Sequence, residues 1–149
     1  LKSNGLDNTL NIAVKDKEIP LLGICLGMQL LGSSSREDEF IEGLNFVPNS
    51  IEKFVLKKHA KEKIPHVGFN CISIGEQTGL FKNMNKEEDF YFTHSYYMKE
   101  NNPLYTTSIC AHIDNIVSSV QNKNVYGVQF HPEKSQKNGL IVLKNFVSL

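Results

Sequence analysis

The chain has 149 residues, 40% hydrophobic and 21% charged, which is enough to bury a core and gives no compositional sign of disorder. Sixteen Lys and Arg balance sixteen Asp and Glu, so the net charge offers no broad footprint for nucleic acid or an anionic membrane. Three cysteines without close spacing (Cys25, Cys71, Cys110) argue for reduced thiols rather than a disulfide framework or zinc knuckle; with no membrane-length apolar run and no signal peptide, a cytoplasmic protein is expected.

Taken in chain order, Leu6, Leu10, Ala13 and Val14 fall at helical spacing behind possible caps at Asn4 or Asp7, and Pro20 opens an apolar strand, Leu21 to Ile24. Leu26, Leu30 and Leu31 then continue on a helical face until Gly32 and the serines Ser33 to Ser35 break it, and a polar, loop-like stretch runs to Gly43. Short β-prone pieces follow at Ile51 to Leu56, Phe69 to Ile74, Phe90 to Thr93 and Thr106 to Cys110. Ile116 to Val120 and Val125 to Phe130 flank Asn122-Lys123-Asn124, which suits a hairpin turn. Leu140, Ile141, Leu143 and Val147 form a closing amphipathic helix, and no repeat or linker divides the chain, so a single α/β domain over 1–149 is expected.

Gly23-Ile24-Cys25-Leu26-Gly27-Met28-Gln29 reads as a nucleophile elbow. A side chain on a sharp strand-to-helix turn adopts a cramped backbone conformation, and small residues on either side, here Gly23 and Gly27, keep the turn from clashing. Helix amides aimed at the sulfur would lower the thiol pKa and favour the attacking thiolate. Such a nucleophile needs a base, and the base needs an orienting partner. His131-Pro132-Glu133, delivered by the strand that ends at Phe130, supplies both, with Pro132 stiffening the backbone between them. The Leu26 backbone N–H would be one oxyanion donor.

Together with Thr93-His94-Ser95-Tyr96-Tyr97 and Gly127-Val128-Gln129-Phe130-His131-Pro132-Glu133, the elbow resembles the class I, Cys-His-Glu glutamine amidotransferases. Pro65-His66-Val67-Gly68-Phe69-Asn70 and His131-Pro132-Glu133-Lys134-Ser135-Gln136 narrow the likeness to the glutaminase subunit of imidazole glycerol phosphate synthase, in the same order along nearly the whole chain. The resemblance implies a three-layer, flavodoxin-like fold with a mixed sheet and no cofactor or metal. It implies a triad of Cys25, His131 and Glu133 that hydrolyses glutamine through a thioester. It also implies Gln29, His94, Ser95 and Tyr96 as positions that hold glutamine, and a barrel-shaped cyclase subunit as heterodimer partner and recipient of ammonia.

Two departures accompany the resemblance. Family members usually carry Trp where this chain has Phe69, near the synthase-facing surface. The family's domain also opens with several strands and a Pro-Gly-x-Gly turn bearing the second oxyanion donor, so an N-terminally incomplete fold is expected. A paralogue that feeds sugar amidation in surface polysaccharide synthesis, an inactive partner-binding domain and a stand-alone cysteine hydrolase are the alternative readings.

Bland roles remain for other residues. Gln29 could be a surface helix residue, and His66 and Asn70 divide between stabilising a turn at Gly68 and an interface role. Lys57, Lys58, Lys61 and Lys63 with Glu62 read as a solvated charge run. His59 and His112 are expected to face solvent or be satisfied locally, and Cys71 and Cys110 to be packing residues.

Overall fold

A computed structural model of the chain describes residues 5–35, 40–56 and 62–149; Asn4, His59, Lys57, Lys58 and Lys61 lie outside the described residues. Among the described residues the strands are β1 (Leu21–Ile24), β2 (Ser34–Ser35), β3 (Ile41–Glu42), β4 (Ser50–Lys53), β5 (His66–Ile74), β6 (Glu87–His94), β7 (Tyr96–Met98), β8 (Thr106–His112), β9 (Asp114–Asn122) and β10 (Val125–Val128). The helices are α1 (Leu6–Asn11), which runs on into a π-helical turn at Ile12–Asp16, α2 (Leu26–Leu31) and α3 (Gln136–Val147). All ten strands join one sheet, ordered β3-β2-β4-β7-β9-β8-β5-β6, with β10 attached to β9 and β1 to β10. The β1–β10 and β2–β4 pairs are parallel and the others antiparallel, so the sheet is mixed as expected.

The alternation of side chains along β9 and β10 divides the core into two faces. Tyr126 and Val128 join Phe90, Phe92, Phe130 and Val142 of α3, whereas Val120 and Val125 join Met28 and Leu31 of α2 and Val14. Helices thus cover both faces of the sheet, giving the three layers of an α/β fold. Contact between α2 and β10 is close because Gly127 carries no side chain: a Cβ there would lie 2.8 Å from Met28 Cγ and 2.9 Å from Val120 Cγ2.

Several local expectations are corrected. The cap of α1 is Gly5 in the left-handed region, not Asp7, which sits inside the first turn. The buried face of α2 is Met28 and Leu31, while Leu26 is 60% exposed and Leu30 38%. The helix begins on a turn set by Cys25, so its phase is fixed by the elbow rather than by the leucine spacing. Gly32 to Gly43 is not all loop, since β2 and β3 pair with each other there. Residues 54–56 lie outside β4, and β10 ends at Val128. Cys71 is exposed on β5, whereas Cys110 is buried, and burial pushes its thiol up to about 12.

Gly139, on α3, crosses the backbone of Pro132 so tightly that a Cβ would fall 1.8 Å from the Pro132 carbonyl oxygen. A Cβ on Gly27 would meet nothing within 4 Å. Gly139→Ala is therefore expected to lower unfolding stability by about 1–3 kcal/mol, as overpacking does. Gly27→Ala, in a helix with open space, should leave it unchanged or raise it by up to about 1 kcal/mol. Urea denaturation of the two variants beside the parent checks both outcomes.

Candidate active site

Cys25 sits where β1 gives way to α2, with φ 50° and ψ −108°, the positive-φ strain expected of an elbow. Its tightness depends on Gly23: a Cβ there would lie 2.7 Å from the Gly27 carbonyl carbon and oxygen and 2.8 Å from the Met28 nitrogen. Gly27 contributes its backbone to this close approach, but no crowding demands that it lack a side chain.

The elbow is held against β10 by the register Ile24↔Val128 and by the Cys25 N–H donating to the Val128 carbonyl at 2.8 Å. Beyond β10 the chain passes through Gln129 and Phe130 to His131. Phe130 is fully buried and stacks on Phe90 with ring centroids 4.0 Å apart, which anchors the end of the segment. The His131 N–H donates to the Tyr91 carbonyl at 2.8 Å. The Cys25 thiol donates to the Thr93 carbonyl at 3.8 Å. Tyr91 and Thr93 are two residues apart on β6, roughly 7 Å along a strand, so residues distant in sequence meet at one strand end.

Ser135 and Gly139 secure the His-Pro-Glu turn and were not singled out from the sequence. Ser135, 1% exposed, donates its hydroxyl to the His131 carbonyl at 2.6 Å and accepts the Tyr91 N–H at 2.9 Å. Both backbone polar groups of Tyr91 thus grip this turn. The general signal was present: a small hydroxyl residue beside a turn often bonds its backbone.

His131 Nδ1 lies 2.7 Å from Glu133 Oε1. Burial pushes the Glu133 carboxyl up, but the His131 hydrogen bond, its own backbone N–H and the charges of His131 and Lys134 outweigh this and hold it below its usual value. A carboxylate there fixes the Nδ1–H tautomer and leaves Nε2 as the basic nitrogen. That Nε2 is buried and has no hydrogen-bond partner among the described residues.

Two expectations about the sulfur are revised. Sulfur and imidazole share the strand end, but no hydrogen bond joins them, the thiol proton being directed to Thr93 instead; such contacts often tighten only when substrate binds. The thiol is also pushed above its ordinary value, not below it. Burial is the largest cause and Glu133 adds to it, while the Leu26 N–H, the Gln129 side chain and Lys134 pull the other way and lose. The Leu26 N–H is directed at the sulfur.

Gln29 is not a surface residue. Its amide nitrogen donates to the Tyr96 carbonyl at 2.9 Å and to Gln129 Oε1 at 3.0 Å, leaving Oε1 for a further donor. His94 is buried with both ring nitrogens engaged, Nδ1 with the Tyr96 carbonyl at 2.7 Å and Nε2 with His66 Nδ1 at 3.0 Å, so its ring has no atom to offer a ligand. The Ser95 carbonyl accepts the Phe54 N–H at 3.1 Å, and the Tyr96 ring lies under Lys53. His112 is satisfied locally, by the Lys63 carbonyl at 3.1 Å, and stacks on His66 at 3.8 Å. No His, Cys, Asp and Glu cluster able to hold a metal occurs among the described residues.

A strained cysteine elbow facing a His-Glu pair at the end of a mixed α/β sheet agrees with what comparison finds: residues 4–148 match the family model "Glutamine amidotransferase class-I". The chain belongs to the class I glutamine amidotransferase family. A relative from Parasynechococcus marenigrum, "Imidazole glycerol phosphate synthase subunit HisH 1", is 42% identical over 97% of this chain and 73% of its own length. One from Methanococcus maripaludis, "Imidazole glycerol phosphate synthase subunit HisH 2", is 43% identical over 99% of this chain and 71% of its own length. Among solved structures, a Thermoplasma acidophilum protein provisionally assigned to GMP synthase superposes with TM-score 0.67 at 21% identity, over 95% of this chain and 62% of that one. A glutamine amidotransferase from Thermotoga maritima gives TM-score 0.57 at 18% identity, over 94% and 52% of the two chains. These structures bear on the fold alone, and the chain spans less than two thirds of each.

Burial first, then the charges of His112 and His94, push His66 down to about 3. Burial, opposed by the Tyr96 carbonyl and reinforced by His112 and His131, pushes His94 down to about 4. Below pH ~6.5 the unfolded chain binds protons that these folded rings refuse, so stability is full above that pH and falls with acidification. Glu133, held low, titrates below this window. Stability measured by urea denaturation should drop steadily from pH 7 to pH 5, with a shallower slope in His66→Phe; equal slopes would remove the buried imidazoles as its cause.

Proposed function

We propose that the chain is a glutaminase subunit that releases ammonia from glutamine for a cyclase partner making imidazole glycerol phosphate. One observation carries the chemistry: His131, tied at Nδ1 to Glu133 at 2.7 Å, keeps a buried and unpartnered Nε2 at the strand end where Cys25 also sits. The names of the relatives carry the choice of recipient.

Because burial holds the thiol protonated, attack begins with proton removal. His131 Nε2 takes the proton as Cys25 Sγ adds to the side-chain amide carbon of glutamine, and the Leu26 N–H donates a hydrogen bond to the oxygen that gains negative charge. The imidazolium, steadied by Glu133, returns the proton to the leaving nitrogen, so ammonia departs and a thioester remains. Water, deprotonated by the same nitrogen, then adds to the thioester, and glutamate and thiol are restored. Gln29 Oε1 is the acceptor we assign to the substrate's ammonium group. On β5, Val67 is 56% exposed and Phe69 51%, and this apolar face beside Tyr91 and the His-Pro-Glu turn suits a protein partner.

Glutamate release from glutamine, measured with the cyclase partner present, tests the reading. Cys25→Ala is expected to abolish it, and full activity in that variant would end the proposal. Glu133→Gln should lower kcat by about 10²–10⁴-fold, the usual reach of general acid-base assistance, with a smaller change in KM.

A further inference from the structure

The reaction scheme leaves unused Gln129, His94 and His66, three buried members of a polar chain that ends on the sulfur. Gln129 is completely buried, and its amide nitrogen donates to Cys25 Sγ at 3.6 Å. Its other amide atom, Oε1, accepts from Gln29 Nε2 at 3.0 Å. The second N–H of Gln29 goes to the Tyr96 carbonyl at 2.9 Å. On that same carbonyl sits His94 Nδ1 at 2.7 Å, while His94 Nε2 meets His66 Nδ1 at 3.0 Å and His66 Nε2 meets Asn70 Nδ2 at 3.2 Å.

Every proton in this chain has one consistent placement. A carbonyl only accepts, so His94 carries its proton on Nδ1, and its neutral Nε2 must accept from His66 Nδ1–H. His66 Nε2 is then an acceptor, which matches the Asn70 amide. The rings are in turn fixed by packing, His66 between Phe92 at 4.6 Å and His112 at 3.8 Å.

The consequence falls on the amide of Gln129. An amide has a donor end and an acceptor end, and turning it over would present oxygen to the sulfur. Gln29 offers only N–H groups towards Gln129 and Tyr96, so the oxygen of Gln129 is drawn to Gln29 and its nitrogen is left for the sulfur. A donor there favours the thiolate, and an acceptor would oppose it.

We propose that Gln129 is a positioning residue for the Cys25 sulfur, held with its donor end inward by Gln29, and that the His94–His66 pair fixes Gln29 through the shared Tyr96 carbonyl. The proposal rests on the reading of Cys25 as nucleophile, yet its test reads the thiol itself. Of these residues only Gln129 touches a reacting atom, the sulfur; Gln29, His94 and His66 act on it through Gln129. Asn70 places the far end of the chain on β5, beside the exposed Phe69.

The experiment is the pH dependence of Cys25 alkylation by iodoacetamide in the whole chain, followed on the Cys25 peptide by mass spectrometry. Gln129→Met keeps the volume and removes the donor, and it should raise the midpoint by about one unit, slowing alkylation near neutrality roughly 10-fold. Gln29→Met, which releases the amide to turn over, should raise it in the same direction. In the Gln129→Met background Gln29→Met should add nothing, because it acts through the missing group. His66→Phe preserves the stacked ring and removes the Nδ1 donor, and it should shift the profile less than Gln29→Met but in the same sense. Should Gln129→Met fail to fold, Gln29→Met and His66→Phe carry the test. Unchanged midpoints in folded variants, or full additivity in the double variant, would overturn the proposal. Absence of glutamate release by the parent chain would instead remove the glutaminase reading and leave the alkylation shifts standing.

Discussion

The parallel pairing of β1 with β10 is the constraint on which the site depends. Only four residues on each side take part, from Leu21↔Val125 to Ile24↔Val128, and the Cys25 N–H continues the ladder onto the Val128 carbonyl. That pairing puts the elbow and the strand leading to His131 side by side. A slip of one residue would move the sulfur by about 3.3 Å and turn it to the other face of the sheet. Gly23 and Gly127 are partners in this register, and each lacks a Cβ where α2 presses close, so the same two glycines let the helix seat on the strands that lead to Cys25 and His131.

The electrostatics follow from how that junction is buried. A thiol held protonated by burial is a safe nucleophile, since it does not react until a base relieves it. The proposed base, His131, is oriented through Nδ1 by Glu133 at the protein surface while its Nε2 stays covered. Partial compensation at the sulfur comes first from two dipoles, the Leu26 N–H and the Gln129 amide, with the Lys134 charge adding less. The fixed tautomers of His94 and His66 follow the same logic, because buried neutral rings can serve as directional connectors without bringing a charge into the core.

What could be read from the sequence is what local chemistry dictates. β1 is legible as an apolar run between Pro20 and the Gly-Ile-Cys-Leu-Gly turn, and the β9–β10 hairpin as two apolar stretches about Asn122-Lys123-Asn124, where Lys123 takes φ 53°. The elbow and the His-Pro-Glu turn carry enough local strain and stiffness to announce themselves. What was not legible is set by distant partners. β7 follows His94 after a single residue and is a strand only because β4 and β9 lie beside it. β2 and β3 are too short for an alternating pattern. The orientation of α2 followed the elbow and not the leucines, and the direction of the Cys25 thiol shift followed burial, which no spacing reveals. The roles of Gln129 and Ser135 depend on which backbone atoms face them across the sheet, so composition placed them as ordinary members of a strand and a turn.

The proposed function requires that the fold make Cys25, alone among three thiols, a nucleophile aimed at a glutamine side chain. A glutamine-shaped electrophile such as a diazoketone analogue, offered to the intact protein and located by peptide mass spectrometry, tests it most directly. A single adduct on Cys25, blocked by excess glutamine, is expected, although Cys71 is the more exposed thiol. Modification of Cys71 in preference to Cys25, or labelling that glutamine does not protect, would contradict it.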